Sequence, residues 1–356
     1  MIKTELFTKT KPLLSERVQK LISQIFAHNP KICIERALFV TESYMENEYK
    51  PTVIKRALGL ANTLKKMTLF ILDDELIVGN QISASRGVPM FPEMASRWIS
   101  QELQTFRNRP ERFEITSGDS AVLAEKILPY WSGKSVEDRI FGALTPGLRE
   151  ALDAGVFNVG LHLSKGIGHF LLDYELVLKK GCEGLIRDIE RSLSSLDPAF
   201  RPEDIEKYHF LKAITIALEA CIGFADRYSV LASKMAEEEQ DEKRKKELAE
   251  ISNICKKVPR HPAETFHEAL QSFWFIQLIP HIDSDGTAIS PGSFDRYMWP
   301  YLQADLEQER TTIPEAQDLI DQLWLKFNQI LSLWKAEDNR NMPLFGYLRC
   351  RPVNFL

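Results

Sequence analysis

The chain predicts a helix-rich α/β fold, and three observations carry that expectation. Most of its apolar residues recur at three- and four-residue spacing, the period of one helix face. Only a few short apolar runs, set beside glycine and proline, break that period. Hydrophobic residues make up 44% of the 356 positions, ample for a packed interior.

Taken in order, residues 34–49 and 53–67 carry the helical spacing and are parted by Pro51, which predicts two packed antiparallel helices. Residues 69–78 read differently. Apolar runs flank Asp73, Asp74 and Glu75, and a Gly79-Asn80 turn follows, so a strand-turn-strand and a helix fit equally. The three carboxylates are more simply a turn than a catalytic cluster. Residues 86–93 hold two prolines and predict an irregular loop. The run 170–172 predicts a short buried strand leading to Asp173. Residues 205–235 predict a long helix running into the charge-rich stretch 236–250, a solvated helix face or hairpin tip.

Pro262 fits the first position of the next helix, where its missing N–H costs nothing. Phe266, Ala269, Leu270, Phe273, Trp274 and Gln277 keep the period from there to an expected end at Pro280. Thr312 and Glu315 have capping-box spacing around Pro314 and open a last helix through Trp334. No internal repeat, low-complexity linker or clean domain boundary is visible; residues 116–119 and 195–202 are the loosest joints.

Composition excludes several classes. A net charge of −5 and a pI near 5.9 leave no excess of Lys and Arg for a nucleic-acid surface. No uninterrupted apolar run reaches the ~18 residues of a membrane span. The first twenty residues carry charges where a signal peptide would place its apolar core. Cys33, Cys182, Cys221, Cys255 and Cys350 lie far apart without a CxxC pair, the usage of a reducing cytoplasm with buried single thiols. Cys33, which sits in a helical pattern, is expected to be buried and inert. The expectation is a cytoplasmic protein with no nucleic-acid or membrane partner.

His169 is the best local candidate for chemistry. Glycines on its N-terminal side let backbone and substrate approach closely, and an imidazole at a strand start could hydrogen-bond a substrate hydroxyl. A histidine that merely bonds a backbone carbonyl explains the same residues. His162 and His169, like His261 and His267, miss the i, i+4 spacing of a helical zinc pair, and no cysteine stands near them, so no metal site is expected. His281, after the expected helix end at Pro280, reads as a capping or surface residue. There is no GxSxG elbow, P-loop or glycine-rich dinucleotide loop.

Four segments together are more specific than any one of them. LDDELIVGNQ (72–81), FPEMASRW (91–98), GHFLLDYELVLKKG (168–181) and DSDGTAISPGSFDRYMWPY (283–301) stand in an order and at separations that resemble the N-terminal half of a glycyl radical enzyme. The resemblance runs from about residue 34 to residue 344. It is strongest to the pyruvate formate-lyase-like branch that includes diol dehydratases, hydroxyproline dehydratase and choline lyase.

The resemblance implies the N-terminal part of a ten-stranded β/α barrel with surrounding helices, over residues 1–346. It implies a radical C–O, C–N or C–C lyase, a dehydratase or a formate acetyltransferase, acting on a small molecule. A separate iron–sulfur activase using S-adenosylmethionine would install the glycyl radical, and a cysteine thiyl radical would then take hydrogen from the substrate. No cofactor bound by this chain is implied, and a homodimer is possible in the family. Carried over by position, His169, Thr287 and Ala288 fall on substrate-binding positions. The last two stand where diol dehydratases often have His-Ser, which puts a glycerol- or propanediol-type substrate in doubt because alanine cannot hydrogen-bond. Asp283 and Asp285 replace common Glu and Asn, adding charge to the same polar turn.

In the family, the thiyl cysteine (Gly-Cys-x-Glu) and the glycyl loop lie beyond this length. Cys350 has no adjacent glycine and no glutamate two residues on, and residues 347–356 diverge from the family. The expectation is therefore a half-enzyme, its frame lost or cut near Gly346, with no catalytic cysteine or radical glycine of its own. Two other readings stay open: a non-catalytic or regulatory half that pairs with a full-length relative or an activase, and a plain helical interaction protein. The irregular 86–93 loop and the glycine-flanked His169 speak against the second.

Overall fold

The computed structural model describes residues 14–109, 112–157, 165–166, 168–286 and 288–335. Its first helix, α1 (Glu16–Phe26), starts where the Ser15 hydroxyl accepts the Val18 N–H, and buries Val18, Leu21 and Ile25 along one stripe. A three-residue strand follows, β1 (Lys31–Cys33), then the expected helical pair α2 (Glu35–Glu46) and α3 (Thr52–Lys66). Next come β2 (Gly87–Pro89) and a run of short helices: α4 (Ser96–Glu102), α5 (Ser117–Val122), α6 (Leu128–Trp131), α7 (Val136–Ala143) and α8 (Pro146–Asp153). Then come β3 (Phe170–Leu171), α9 (Tyr174–Ser194), α10 (Glu203–Glu238), α11 (Glu242–Lys257) and α12 (Phe266–Ser284). The last elements are β4 (Ile289–Ser290), α13 (Phe294–Glu307) and α14 (Ile313–Gln329).

All observed strand pairing is parallel. β1 pairs with β2 in the register Lys31 to Gly87, Ile32 to Val88 and Cys33 to Pro89. Single bridges extend that sheet on both sides, Glu114 beside Lys31 and Ile330 beside Gly87. The spatial order is thus 114, β1, β2, 330, and no described residue pairs beyond either end. β3 and β4 form a second parallel pair. Gly87 permits the first pairing, because a Cβ there would sit 2.0 Å from the Lys31 carbonyl oxygen.

Helices matched the apolar period; several boundaries did not. Residues 69–78 form neither helix nor hairpin. Their backbone polar groups are satisfied by side chains instead: Gln271 bonds both the N–H and the C=O of Val78, each at 2.8 Å. Gln322 accepts from the Leu76 N–H, and the Trp274 indole donates to the Gly79 carbonyl. The 86–93 segment, expected as loop, holds β2. Helix α12 begins at Phe266, set by a Thr265–Glu268 capping box, so Pro262 precedes it. It also runs through Pro280, where the Ser284 hydroxyl donates to the Pro280 carbonyl. The Thr312–Glu315 capping box is present as expected, but α14 stops at Gln329 and Ile330 enters the sheet. The charge run ends α10, turns at residues 239–241 and forms the first half of α11, with Asp241 as the cap of the second helix. Cys33 is buried but ends a strand rather than a helix.

The main core lies between α3, α10, α11, α12 and α14, around Phe224, Tyr228, Phe266, Phe273, Trp274 and Phe275. By length and composition α10 would pass for a membrane-crossing helix. Cys221, Phe224, Ala225, Tyr228, Ala232 and Ala236 are instead buried in the protein, which accounts for that part of its apolar content.

Helix α1 is pinned by charge. Arg17 donates to Glu247 and to the Asp74 carbonyl, and Arg244 reaches the same carboxylate at 3.2 Å. Burial raises the affinity of Glu247 for a proton, but Arg17 and Arg244 outweigh it and hold the carboxyl below its usual range. A lowered carboxyl contributes stability that is present above pH ~4.5 and lost as pH falls through the folded value. Amides of α1 are therefore expected to lose hydrogen-exchange protection in that acid window, and Glu247→Gln to abolish the dependence.

Candidate functional site

Two segments meet at the C-terminal end of α12. Gly166 packs directly on the Ser284 backbone, since a Cβ on it would lie 2.0 Å from that carbonyl oxygen. The His169 N–H donates to the Ala288 carbonyl at 2.8 Å and starts the β3–β4 pair. His169 and Ala288, read separately from the sequence, are thus adjacent; Thr287 lies outside the described residues, as do His162, Gly346 and Cys350. Gly168 and His169 both take left-handed backbone angles, with φ of 68° and 61°. For a histidine that geometry costs about 1 kcal/mol or more, so the pairing with Ala288 must hold it. The His169 side chain is exposed, and so are Phe170 and Leu171, which corrects the expectation of a buried strand.

The wall is held from behind by charges the sequence did not reveal. Lys165 is buried and reaches the Asp285 carboxylate at 2.6 Å and the Leu333 carbonyl at 3.4 Å. Asp285 itself sits at φ 50°, the left-handed cap of α12. Burial pushes its carboxyl above the ordinary value, and the Lys165 ammonium pulls it part of the way back. Two residues earlier, the Asp283 carboxylate accepts from Arg56 and the Asp283 carbonyl accepts from Arg36 at 2.8 Å. Arg36 also donates to the Met90 and Ile282 carbonyls and to Glu93, and stacks on the Phe91 ring. An arginine on the apolar face of α2 was the one sequence sign of this clamp.

β4 is fixed from the other side. The Tyr174 hydroxyl donates to Gln277 Oε1, and the Gln277 amide donates to the Ile289 carbonyl at 3.1 Å. His281 lies buried within α12 with its Nε2 at 3.1 Å from the same amide. That corrects the expectation of a surface residue beyond the helix. His267 likewise serves structure, its Nε2 against the Leu76 carbonyl at 3.0 Å. Among the described residues no His, Cys, Asp and Glu set could hold a metal. The described cysteines are Cys33, Cys182, Cys221 and Cys255, all buried, and none belongs to the two wall segments. Glu75, taken in the sequence for a turn residue, is buried in an ion pair with Lys326 at 2.6 Å.

Two parallel strand pairs set among many helices, one of them closed by glycines against a helix end, define an α/β protein. The "Pyruvate formate lyase-like" family model matches residues 10–343, and the chain belongs to that family, the pyruvate formate-lyase-like glycyl radical enzymes. It is 34% identical over 338 residues to the "Probable dehydratase YbiW" of Escherichia coli K12, covering 93% of this chain and 42% of that protein. The "Isethionate sulfite-lyase" of Oleidesulfovibrio alaskensis is 32% identical, over 90% of this chain and 40% of its own length. Among solved structures, the glycerol-bound B12-independent glycerol dehydratase from Clostridium butyricum superposes with a TM-score of 0.89 at 36% identity, covering 94% of this chain and 42% of that one. The fold is accordingly the N-terminal part of a pyruvate formate-lyase-type barrel with its helices. The chain spans about 40% of the length of the relatives it matches.

Proposed function

We propose that this chain supplies one wall of the substrate pocket of a radical dehydratase or lyase, with the exposed imidazole of His169 facing a small hydroxylated substrate and Thr287 and Ala288 assigned to the same pocket by their positions in the family. The observation that carries the reading is the strained His169, locked against Ala288 by its backbone while its side chain stays exposed. Strain kept at an exposed imidazole has a use in positioning a hydrogen bond or moving a proton at a leaving hydroxyl. Ala288 offers no hydroxyl, so the substrate has one polar contact fewer here than a serine would give. The thiyl cysteine and glycyl radical of the family chemistry come, on this reading, from the part of the barrel that the matched region does not include. A separate radical-generating activase is the second partner, and the chain acts in the cytoplasm.

The test combines the chain, under anaerobic conditions, with the C-terminal segment of a glycyl radical dehydratase and that enzyme's activase. Loss of glycerol, 1,2-propanediol or isethionate is then followed. Turnover of one of them is expected, with His169→Ala lowering kcat/KM at least about 100-fold, the usual scale for a positioned acid or base. Turnover that His169→Ala leaves unchanged would overturn the role of the imidazole. A radical-bearing complex with no turnover of any of the three would overturn the substrate class.

A further inference from the structure

A second cleft, lined in part by Ile282, Asp283 and Ser284 but not by His169, holds donors that the fold does not use. It measures about 490 Å³ and lies between α2, α3, the 93–94 turn and residues 130–139. Its floor is aromatic. Tyr44 and Tyr130 both contact Trp131, with ring centroids 5.0 and 5.1 Å away. Lysines stand at both ends, Lys55 at 5.5 Å from the Tyr44 ring and Lys134 at 4.0 Å from the Tyr130 ring. Arg139 lines the same cleft and is exposed.

The bookkeeping of charge favours an anion. Three acids line the cleft, and each is paired: Asp283 with Arg56, Glu93 with Arg36, and Glu48 with Lys134. Lys134 has only the exposed Glu48, at 3.4 Å. Lys55 and Arg139 have no carboxylate partner among the described residues, and neither the Tyr44 nor the Tyr130 hydroxyl makes a hydrogen bond there. Burial first, and then the nearby Glu93, pushes the Tyr44 phenol up to about 12, so it remains a neutral donor at any physiological pH. Four unpartnered donors facing one cleft, two of them cationic, match the several acceptor oxygens of a phosphate group, and the half-buried phenol rings offer a face to an apolar or planar remainder.

We propose that this cleft binds a phosphate-bearing small molecule, held by Lys55, Arg139, Tyr44 and Tyr130. The inference stands apart from the substrate pocket and does not rest on it. Inorganic pyrophosphate titrated into the full chain, followed by calorimetry and phosphorus NMR at constant ionic strength, tests it. Saturable binding with one site per chain is expected. Lys55→Gln and Arg139→Gln should each weaken it at least tenfold, Tyr44→Phe several-fold, and the exposed Lys234→Gln not at all. Arg139 is exposed and Lys55 only partly buried, so their replacement by glutamine leaves the core intact. Absence of saturable binding, or binding that Lys55→Gln and Arg139→Gln leave unchanged, would overturn the proposal.

Discussion

Replacing Lys326 by methionine is expected to cost the chain about 3–5 kcal/mol of stability, the range for breaking a buried ion pair from one side. Lys326 and Glu75 are both buried, 2.6 Å apart, and the ammonium also donates to Asn80 Oδ1 at 3.0 Å. Burial alone lowers the proton affinity of Lys326, and the Glu75 carboxylate restores part of it. Without the ammonium, Glu75 keeps one internal donor, the Leu72 N–H at 3.0 Å, in a site closed to water. The loop 69–80 would lose one of its two ties to α14, keeping the Leu76 N–H to Gln322 bond. The midpoint of urea unfolding checks the loss. The double replacement Lys326→Met with Glu75→Leu should recover most of it, because removing both charges removes the desolvation cost as well. Equal loss in single and double variants would show that side-chain shape, not charge, holds this position.

Gly166→Ala is expected to be the most damaging single change at the candidate site. An added Cβ would lie 2.0 Å from the Ser284 carbonyl oxygen and 3.3 Å from the Asp285 carbonyl carbon, both backbone atoms. A rigid backbone cannot yield as a flexible side chain can, so residues 165–169 must leave the wall. About 3 kcal/mol is the expected cost, the upper end for overpacking. The loss of the Lys165–Asp285 pair and of the His169–Ala288 hydrogen bond follows from the displacement. Hydrogen exchange at the His169 amide reads this directly: protected in the parent, fast in Gly166→Ala. By contrast, Gly142→Ala should change nothing, since a Cβ there meets no atom within 4 Å.

Much of the helical framework was legible in the chain, because amphipathic period and capping boxes are local signals. The Thr312–Glu315 box shows this best, as its reciprocal bonds are made within one turn. The strands were not legible. β1 to β4 are two or three residues long, too short to show a period, and their pairing joins residues far apart in sequence. Residues 69–80 misled because their backbone is satisfied by Gln271, Gln322 and Trp274, partners that no local pattern announces. Pro280 misled in the opposite sense, as tertiary packing carried α12 one turn past it. At the candidate site the family resemblance brought His169 and Ala288 together, and the backbone places them side by side. The supporting charges, Lys165 with Asp285 and Arg36 with Glu93, could not be paired from sequence, since each joins residues more than fifty positions apart.

Among the described residues the sheet ends on each side in a single bridge, at Glu114 and at Ile330, with no further strand paired beyond either. A parallel sheet with open edges is a template for further strands. The account holds that these edges take the remaining strands of the barrel, from the same protein or from a complementing one. Hydrogen exchange on the chain with and without the C-terminal segment of a glycyl radical relative tests that most directly. The account predicts a one-to-one complex in which residues 113–115, 330–333 and 168–171 gain protection together. Absence of a complex, or a complex that leaves both edges exchanging as fast as in the chain alone, would contradict it.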